Sequence, residues 1–222
     1  MNYNSNKNKE KKEQKVKEKQ ISSIKLIDNR IIYVDGSIDD ALAKDVIDKL
    51  LRLDTLNHDD IVMYINSNGG NVSSGLAIYD TMNMIKSKVS TVCIGKCFSM
   101  ASVLLVNGAK GKRYILPNAE VMIHEVSSIS VGKVGEMQNN LDHSRDLNHK
   151  LFKILAEKSN RTYNQIKNEA TGKDLWLSAS KALQYGIIDK ILYSSGDYDV
   201  YKKHRQRYLW WGVWSNHKQS LW

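Results

Sequence analysis

Three times in its first half, the chain follows a short run of β-branched and other apolar residues with an amphipathic helical pattern. The three runs occupy residues 30–34, 61–65 and 89–94. Run 61–65 is apolar throughout, which is typical of a strand whose sheet is covered on both faces. Strands that alternate with helices across short connections predict a parallel sheet with helices packed on it. The sequence therefore predicts an α/β fold, and its 222 residues suffice for one sizeable core.

The second half predicts further helices and a closing strand. A long helical pattern covers about residues 133–158, and its length suggests a helix that projects from the sheet layer and packs on another copy. Ser178 is typical of a helix N-cap, and a last strand is predicted at 187–192. In the first half, Ser37 followed by Asp40 is typical of a capping box at the start of the first helix.

Polar residues and glycines follow the predicted strands at the points where each strand ends. Gly69 and Gly70 come after the second strand, and His124 comes after a short apolar run near residue 121. Because ligands bind at the carboxyl edge of parallel sheets, these positions are candidates for a functional site. Two adjacent glycines let another group approach the backbone closely, although Asn, Ser and Gly together also form plain turns.

Ser99 lies between the third predicted strand and an apolar helix predicted at 100–106. Two interpretations fit this position. In one, Ser99 is only the helix N-cap, because serine is favoured there. In the other, its hydroxyl is a nucleophile placed beside a helix N-terminus, whose free N–H groups favour a nearby anion.

A serine that cleaves amides needs an imidazole to take its proton, a carboxylate to orient that imidazole, and N–H donors for the oxyanion. Of the six histidines, only His124 follows a buried strand. The carboxylate stays open on spacing alone. The acidic residues that suit it by chemistry are Asp80, Glu120, Glu125, Asp174 and Asp189.

The net charge of +9 is confined to the two ends of the chain. Residues 1–20, with seven Lys and three Glu, carry +4, and we expect a disordered basic arm there. Residues 201–222 carry +5 and four of the five tryptophans, which predicts a basic, Trp-rich tail. The body, 21–200, holds 21 basic and 21 acidic residues, so a basic groove within the fold is not supported.

Other composition features exclude several classes. No apolar run is long enough to span a bilayer, and the Lys-rich start is not typical of a signal peptide, so we expect a cytoplasmic protein. Cys93 and Cys97 are too few for a zinc site or a disulfide framework, and we expect both to be small buried apolar residues. We expect no metal or cofactor in this chain.

Several blocks of sequence, in order, resemble the proteolytic subunit of the caseinolytic Clp protease, the ClpP family. The resemblance runs from about residue 30 to 192, and it is carried by the blocks at 64–70, 75–82, 99–101, 108–113, 116–124 and 182–189. It implies stacked strand-helix units of the ClpP/crotonase type, with the helix at about 133–158 as a projecting handle. The peptidase domain would be residues 21–200.

The resemblance also implies roles for individual residues. Ser99 corresponds to the nucleophile, His124 to the general base and Asp174 to the residue that orients this base. The N–H groups of Gly70 and Met100 correspond to the oxyanion hole. The family further implies two stacked seven-membered rings, an ATP-driven unfoldase as partner, and unfolded proteins as substrates, with ATP used by the unfoldase.

The chain departs from the family pattern close to the site. Asn68 replaces a proline before the glycines, Phe98 stands where a small residue precedes the nucleophile, and Glu125 follows the histidine. Segment 127–130 lacks the glycines that the family has there. These departures motivate an alternative: a weakly active or inactive ClpP-like subunit of a mixed ring. A second alternative is a nucleic-acid or membrane binding protein that acts through its basic ends.

Overall fold

The computed structural model describes residues 26–194 and residue 197. The predicted arm at 1–20 and tail at 201–222 lie outside the described residues. In chain order, the first elements are β1 (Ile31–Ile38), α1 (Asp40–Leu56), β2 (Ile61–Gly70), α2 (Val72–Met84), β3 (Val89–Phe98) and α3 (Met100–Val106). They confirm the three strand-helix units predicted from the sequence.

The second half contains two short strands, a long helix and, after it, two short helices and two short strands. The elements are β4 (Arg113–Ile115), β5 (Glu120–Ile123), α4 (Val134–Lys158), α5 (Tyr163–Ala170), β6 (Leu175–Ser178), α6 (Ala179–Tyr185) and β7 (Lys190–Ile191). Ser178 caps α6 as predicted, because its hydroxyl accepts the N–H of Lys181. None of the helices among these residues is long and apolar enough to cross a bilayer.

The strands form one sheet that branches at β3. Its main path runs β1-β2-β3-β4-β7 with parallel neighbours. The first part of β3, around Val92, pairs with β4, whereas its last part, around Cys97, pairs in parallel with β5. Strand β6 then pairs antiparallel with β5. The branch β3-β5-β6 carries the candidate site.

All three N-terminal strands run beyond the ends predicted for them. The sequence places their ends at 34, 65 and 94, but they end at Ile38, Gly70 and Phe98. Most of the extra residues are polar or glycine, and several of them pair with one another across the sheet, as Ser37 does with Gly69. Pairing satisfies their backbone groups, and this outweighs the preference of such residues for turns.

Two smaller predictions also differ from the structure. The cap of α1 is Asp39, whose carboxylate accepts the N–H of Leu42, while Ser37 remains in β1. The last strand covers only Lys190–Ile191 instead of 187–192. Just before this strand, the Asp189 side chain forms an ion pair with Arg113, and the backbone at 187–189 is not part of a strand.

The main core lies between the sheet and its helices, and a smaller cluster lies on the opposite face. The small cluster contains Val62, Val92, Tyr114 and Leu192. In α4, only Leu151, Phe152 and Leu155 are buried. Apolar side chains in its first half remain exposed in this chain, including Val134, Met137 and Leu141. Helix α4 is therefore the long projecting element that the sequence predicts.

Candidate active site

Ser99 occupies a strained turn between β3 and α3. Its φ of 54° lies in the left-handed region, which residues other than glycine rarely adopt. Although Ser99 is the N-cap residue by position, its side chain makes no capping hydrogen bond. Its Oγ lies instead 2.8 Å from Nε2 of His124. The interpretation of Ser99 as a simple helix cap is therefore wrong.

The register between β3 and β5 brings this serine and histidine together. Phe98 pairs with Met122 in parallel, and the N–H of Ser99 donates to the carbonyl of Met122 at 2.9 Å. Both strands end at this edge, β3 at Phe98 and β5 at Ile123. The residues that follow the two strands, Ser99 and His124, therefore lie side by side.

Asp174 approaches the opposite side of the imidazole. In the antiparallel pair of β5 and β6, Ile123 faces Leu175, so the next positions outward are His124 and Asp174. Asp174 Oδ1 lies 3.8 Å from His124 Nδ1, which is longer than a hydrogen bond. The Asp174 side chain is 49% exposed and that of His124 is 26% exposed. The structure thus places Asp174 next to the imidazole without a direct bond.

Three of the other carboxylates considered from the sequence lie elsewhere. Asp189 forms a bidentate ion pair with Arg113, with one contact at 2.6 Å. Glu120 begins β5, at the far end of this strand from His124. Asp80 is exposed on α2.

Glu125, the fourth of those carboxylates, contacts the backbone of the loop at 171–174, which joins α5 to β6 and is called the Asp174 loop below. Its Oε1 accepts the N–H of Gly172 at 3.1 Å. The sequence indicates a carboxylate next to His124, but it does not indicate this contact. The two residues are 47 positions apart, and no local pattern connects them.

The two predicted glycines pack against different elements, Gly69 against the start of α3 and Gly70 against β1. Gly69 has a φ of +89°, and a Cβ placed on it would come within 2.9 Å of the backbone nitrogen of Met100 and 2.8 Å of Ser99 Cβ. Gly70 lies against strand β1, where an added Cβ would come 2.3 Å from the carbonyl oxygen of Ile38. Only glycine fits at these positions. The structure therefore brings Gly69 close to Ser99 and Met100, and it places the adjacent Gly70 against β1.

An apolar strip borders the site on one face of the branch. Phe98, Met122 and Trp176 occupy paired positions on β3, β5 and β6. The rings of Phe98 and Trp176 meet edge to face, with centroids 5.1 Å apart, and Trp176 is half exposed. Since side chains two apart on a strand share a face, this strip lies on the same face as His124 and Asp174. No sequence motif singles out Trp176, although its spacing from Asp174 indicates the shared face.

Two thiols lie beneath this site in the core. Cys93 and Cys97 are both fully buried, which confirms that they act as small apolar residues. Burial, together with the neighbouring thiol of Cys93, raises the pKa of Cys97 well above its usual value. Within the described part of the chain, no cluster of three or more His, Cys, Asp or Glu side chains is arranged to hold a metal ion.

Comparison with known proteins agrees with this geometry. The family model described as Clp protease matches residues 12–195. The protein named ATP-dependent Clp protease proteolytic subunit from Carsonella ruddii (strain PV) is 41% identical over 169 residues, which cover 76% of this chain and 87% of the relative. The family match includes every residue brought together at the end of β3 and β5, and the resemblance inferred from the sequence blocks is confirmed. The chain belongs to the Clp protease family of serine endopeptidases.

Proposed function

We propose that Ser99, His124 and Asp174 cleave peptide bonds through an acyl-enzyme. The observation that carries this proposal is the 2.8 Å contact between Ser99 Oγ and His124 Nε2. At this distance Nε2 accepts the hydroxyl proton as Oγ attacks the peptide carbonyl carbon. The imidazolium then protonates the leaving amine, and a water molecule, activated by the same histidine, releases the acyl group from Ser99.

Two charges develop in this reaction, a positive one on the imidazole of His124 and a negative one on the carbonyl oxygen of the substrate. Asp174 stabilises the first, and the turn that contains Gly69 and Gly70 stabilises the second. For Nε2 to accept a proton, Nδ1 must carry one, and Nδ1 is the atom that faces Asp174. The carboxylate therefore favours this tautomer and stabilises the imidazolium. The N–H groups of Gly70 and Met100 form the oxyanion hole, which is supported by the close approach of Gly69 to the backbone nitrogen of Met100.

The chain acts as one subunit of a larger assembly in this proposal. The Carsonella ruddii relative is named an ATP-dependent protease subunit, and its partner would be an ATP-driven unfoldase that uses the ATP. Two stacked seven-membered rings would meet through α4, and this contact would bury Val134 and Leu141, which are exposed in the single chain. The substrates would be unfolded proteins. The cytoplasmic location and the absence of a cofactor stay predictions from the sequence.

The alternative of a weakly active subunit in a mixed ring is supported by the distance between His124 and Asp174. An exposed carboxylate at 3.8 Å orients an imidazole less firmly than a buried, directly bonded one. Labelling with an active-site fluorophosphonate tests both proposals. We expect a covalent adduct on Ser99 in the assembled particle and none in Ser99→Ala.

Failure to label Ser99 in particles of the correct native mass would contradict the enzymatic proposal and favour the inactive subunit. Addition of a second ClpP-like subunit type separates the remaining cases, because a subunit of a mixed ring would label only in its presence. Binding through the basic ends is tested by deleting residues 1–20 and 201–222. Loss of nucleic-acid or vesicle binding in the deleted form would favour that alternative.

A further inference from the structure

The Glu125 side chain spans from the residue after His124 to the loop before Asp174. Its Oε1 accepts the backbone N–H of Gly172 at 3.1 Å. Glu125 is partly buried as a residue, whereas Gly172 and the contact itself are exposed to solvent. Because a carboxylate that accepts an N–H forms one of the stronger classes of hydrogen bond, this contact restrains the loop.

The contact is the second of two attachments between the segments that carry the candidate general base and its carboxylate. On one side, Ile123 and Leu175 are paired across β5 and β6. On the other side, Glu125 holds Gly172. Between these two attachments lie His124 and Asp174, one on each segment. The separation between their side chains therefore depends on both attachments.

The space into which a side chain at position 172 would project is open. Gly172 has a φ of +70°, and a Cβ placed on it would meet nothing within 4 Å. Just before it, the N–H of Thr171 donates to the carbonyl of Lys167 at the end of α5. Between this cap and the start of β6, the bond from Glu125 to Gly172 attaches the loop to the chain segment that follows His124.

We infer that Glu125 is a positioning residue, which holds the Asp174 loop opposite His124 through its bond to Gly172. The inference rests on the roles proposed above for His124 and Asp174. Glu125 acts as a hydrogen-bond acceptor, so a neutral amide oxygen at the same position replaces it. The role proposed for Glu125 does not require a negative charge beside the imidazole.

Three variants of the assembled enzyme test this role: Glu125→Ala, Glu125→Gln and, as a control, Glu120→Ala. Glu120 is an exposed carboxylate on the same strand, far from the Asp174 loop. With a short fluorogenic peptide, we expect Glu125→Ala to lower kcat by about five- to tenfold with KM changed less than about twofold, as for loss of one hydrogen bond. Glu125→Gln should stay within about threefold of the wild type, because the amide oxygen still accepts. Glu120→Ala should match the wild type.

Amide hydrogen exchange reports the bond itself. In the segment that contains Gly172, exchange should be faster in Glu125→Ala and unchanged in Glu125→Gln. Equal losses of activity in the Ala and Gln variants would overturn the inference, because the charge and not the bond would then matter. Unchanged exchange in Glu125→Ala would overturn it too.

A double-mutant cycle with Asp174→Asn separates this inference from the proposed function. If Glu125 acts through Asp174, adding Glu125→Ala to Asp174→Asn should lower kcat by less than about twofold more. Additive losses would overturn the positioning role and leave the role of Asp174 intact. If Asp174→Asn alone has no effect, the proposed orienting role of Asp174 fails instead.

Discussion

Replacement of Asp174 by asparagine should slow catalysis moderately rather than abolish it. The carboxylate stabilises the imidazolium of His124 across 3.8 Å. Coulomb's law at this distance gives about 1 kcal/mol in the dielectric of water and about 4 kcal/mol at an effective dielectric of 20. These energies correspond to losses in kcat of about sixfold to about 10³-fold. Since half of the Asp174 side chain is exposed, we expect a loss of about 10- to 100-fold.

The assay is the steady-state cleavage of a short fluorogenic peptide, which requires no unfolding. Native mass first establishes that each variant assembles like the wild type. Asp80→Asn is the matched control, because it removes the same charge from an exposed position on α2 and should not change kcat. Ser99→Ala gives the baseline without a nucleophile.

Two outcomes would refute this reasoning. A loss as large as that of Ser99→Ala would mean that Asp174 bonds the imidazole directly in the working site, contrary to the geometry from which the magnitude is derived. A change of less than about threefold would mean that Asp174 does not act on His124, since even the dielectric of water gives a larger effect.

The remaining predictions concern the glycine turn and a buried ion pair. Gly69→Ala and Gly36→Ala both place a side chain at a φ above +80°, which costs about 1–2 kcal/mol. Only the Cβ at Gly69 collides with backbone and with Ser99, so overpacking should destabilise Gly69→Ala by about 1–3 kcal/mol more than Gly36→Ala. Gly69→Ala should also abolish fluorophosphonate labelling, whereas Gly36→Ala should keep it. Equal decreases in melting temperature for the two variants would contradict this prediction. Asp189→Asn should lower the free energy of unfolding at pH 7 by about 3 kcal/mol, because it leaves the charge of the buried Arg113 without its carboxylate partner. Burial raises the pKa of Asp189, but the hydrogen bonds and charge of Arg113 outweigh it and hold the pKa below its usual value. The stabilisation is therefore present above the unfolded pKa of about 4 and is lost as the pH falls through the lower folded value. Denaturation curves of the two proteins should differ at pH 7, begin to approach each other below about pH 4, and coincide only below the folded pKa.

The sequence by itself determined the order of the elements and where functional residues follow them. Its apolar periodicity predicts three strand-helix units, and its prediction of α3 at 100–106 matches the structure. It also places His124 directly after a buried strand, as β5 shows. These features are local: periodic burial and capping depend on residues a few positions apart.

Only the tertiary structure decided how those residues meet. The strands extend to Ile38, Gly70 and Phe98 because their polar ends pair with one another, and no single segment contains that information. Asp174 is distinguished from the other carboxylates by the antiparallel register of β5 and β6, which sets residues about 50 positions apart opposite each other. The bond from Glu125 to Gly172 spans a similar interval. Register between distant strands follows from packing of the whole sheet, and for that reason local patterns do not predict it.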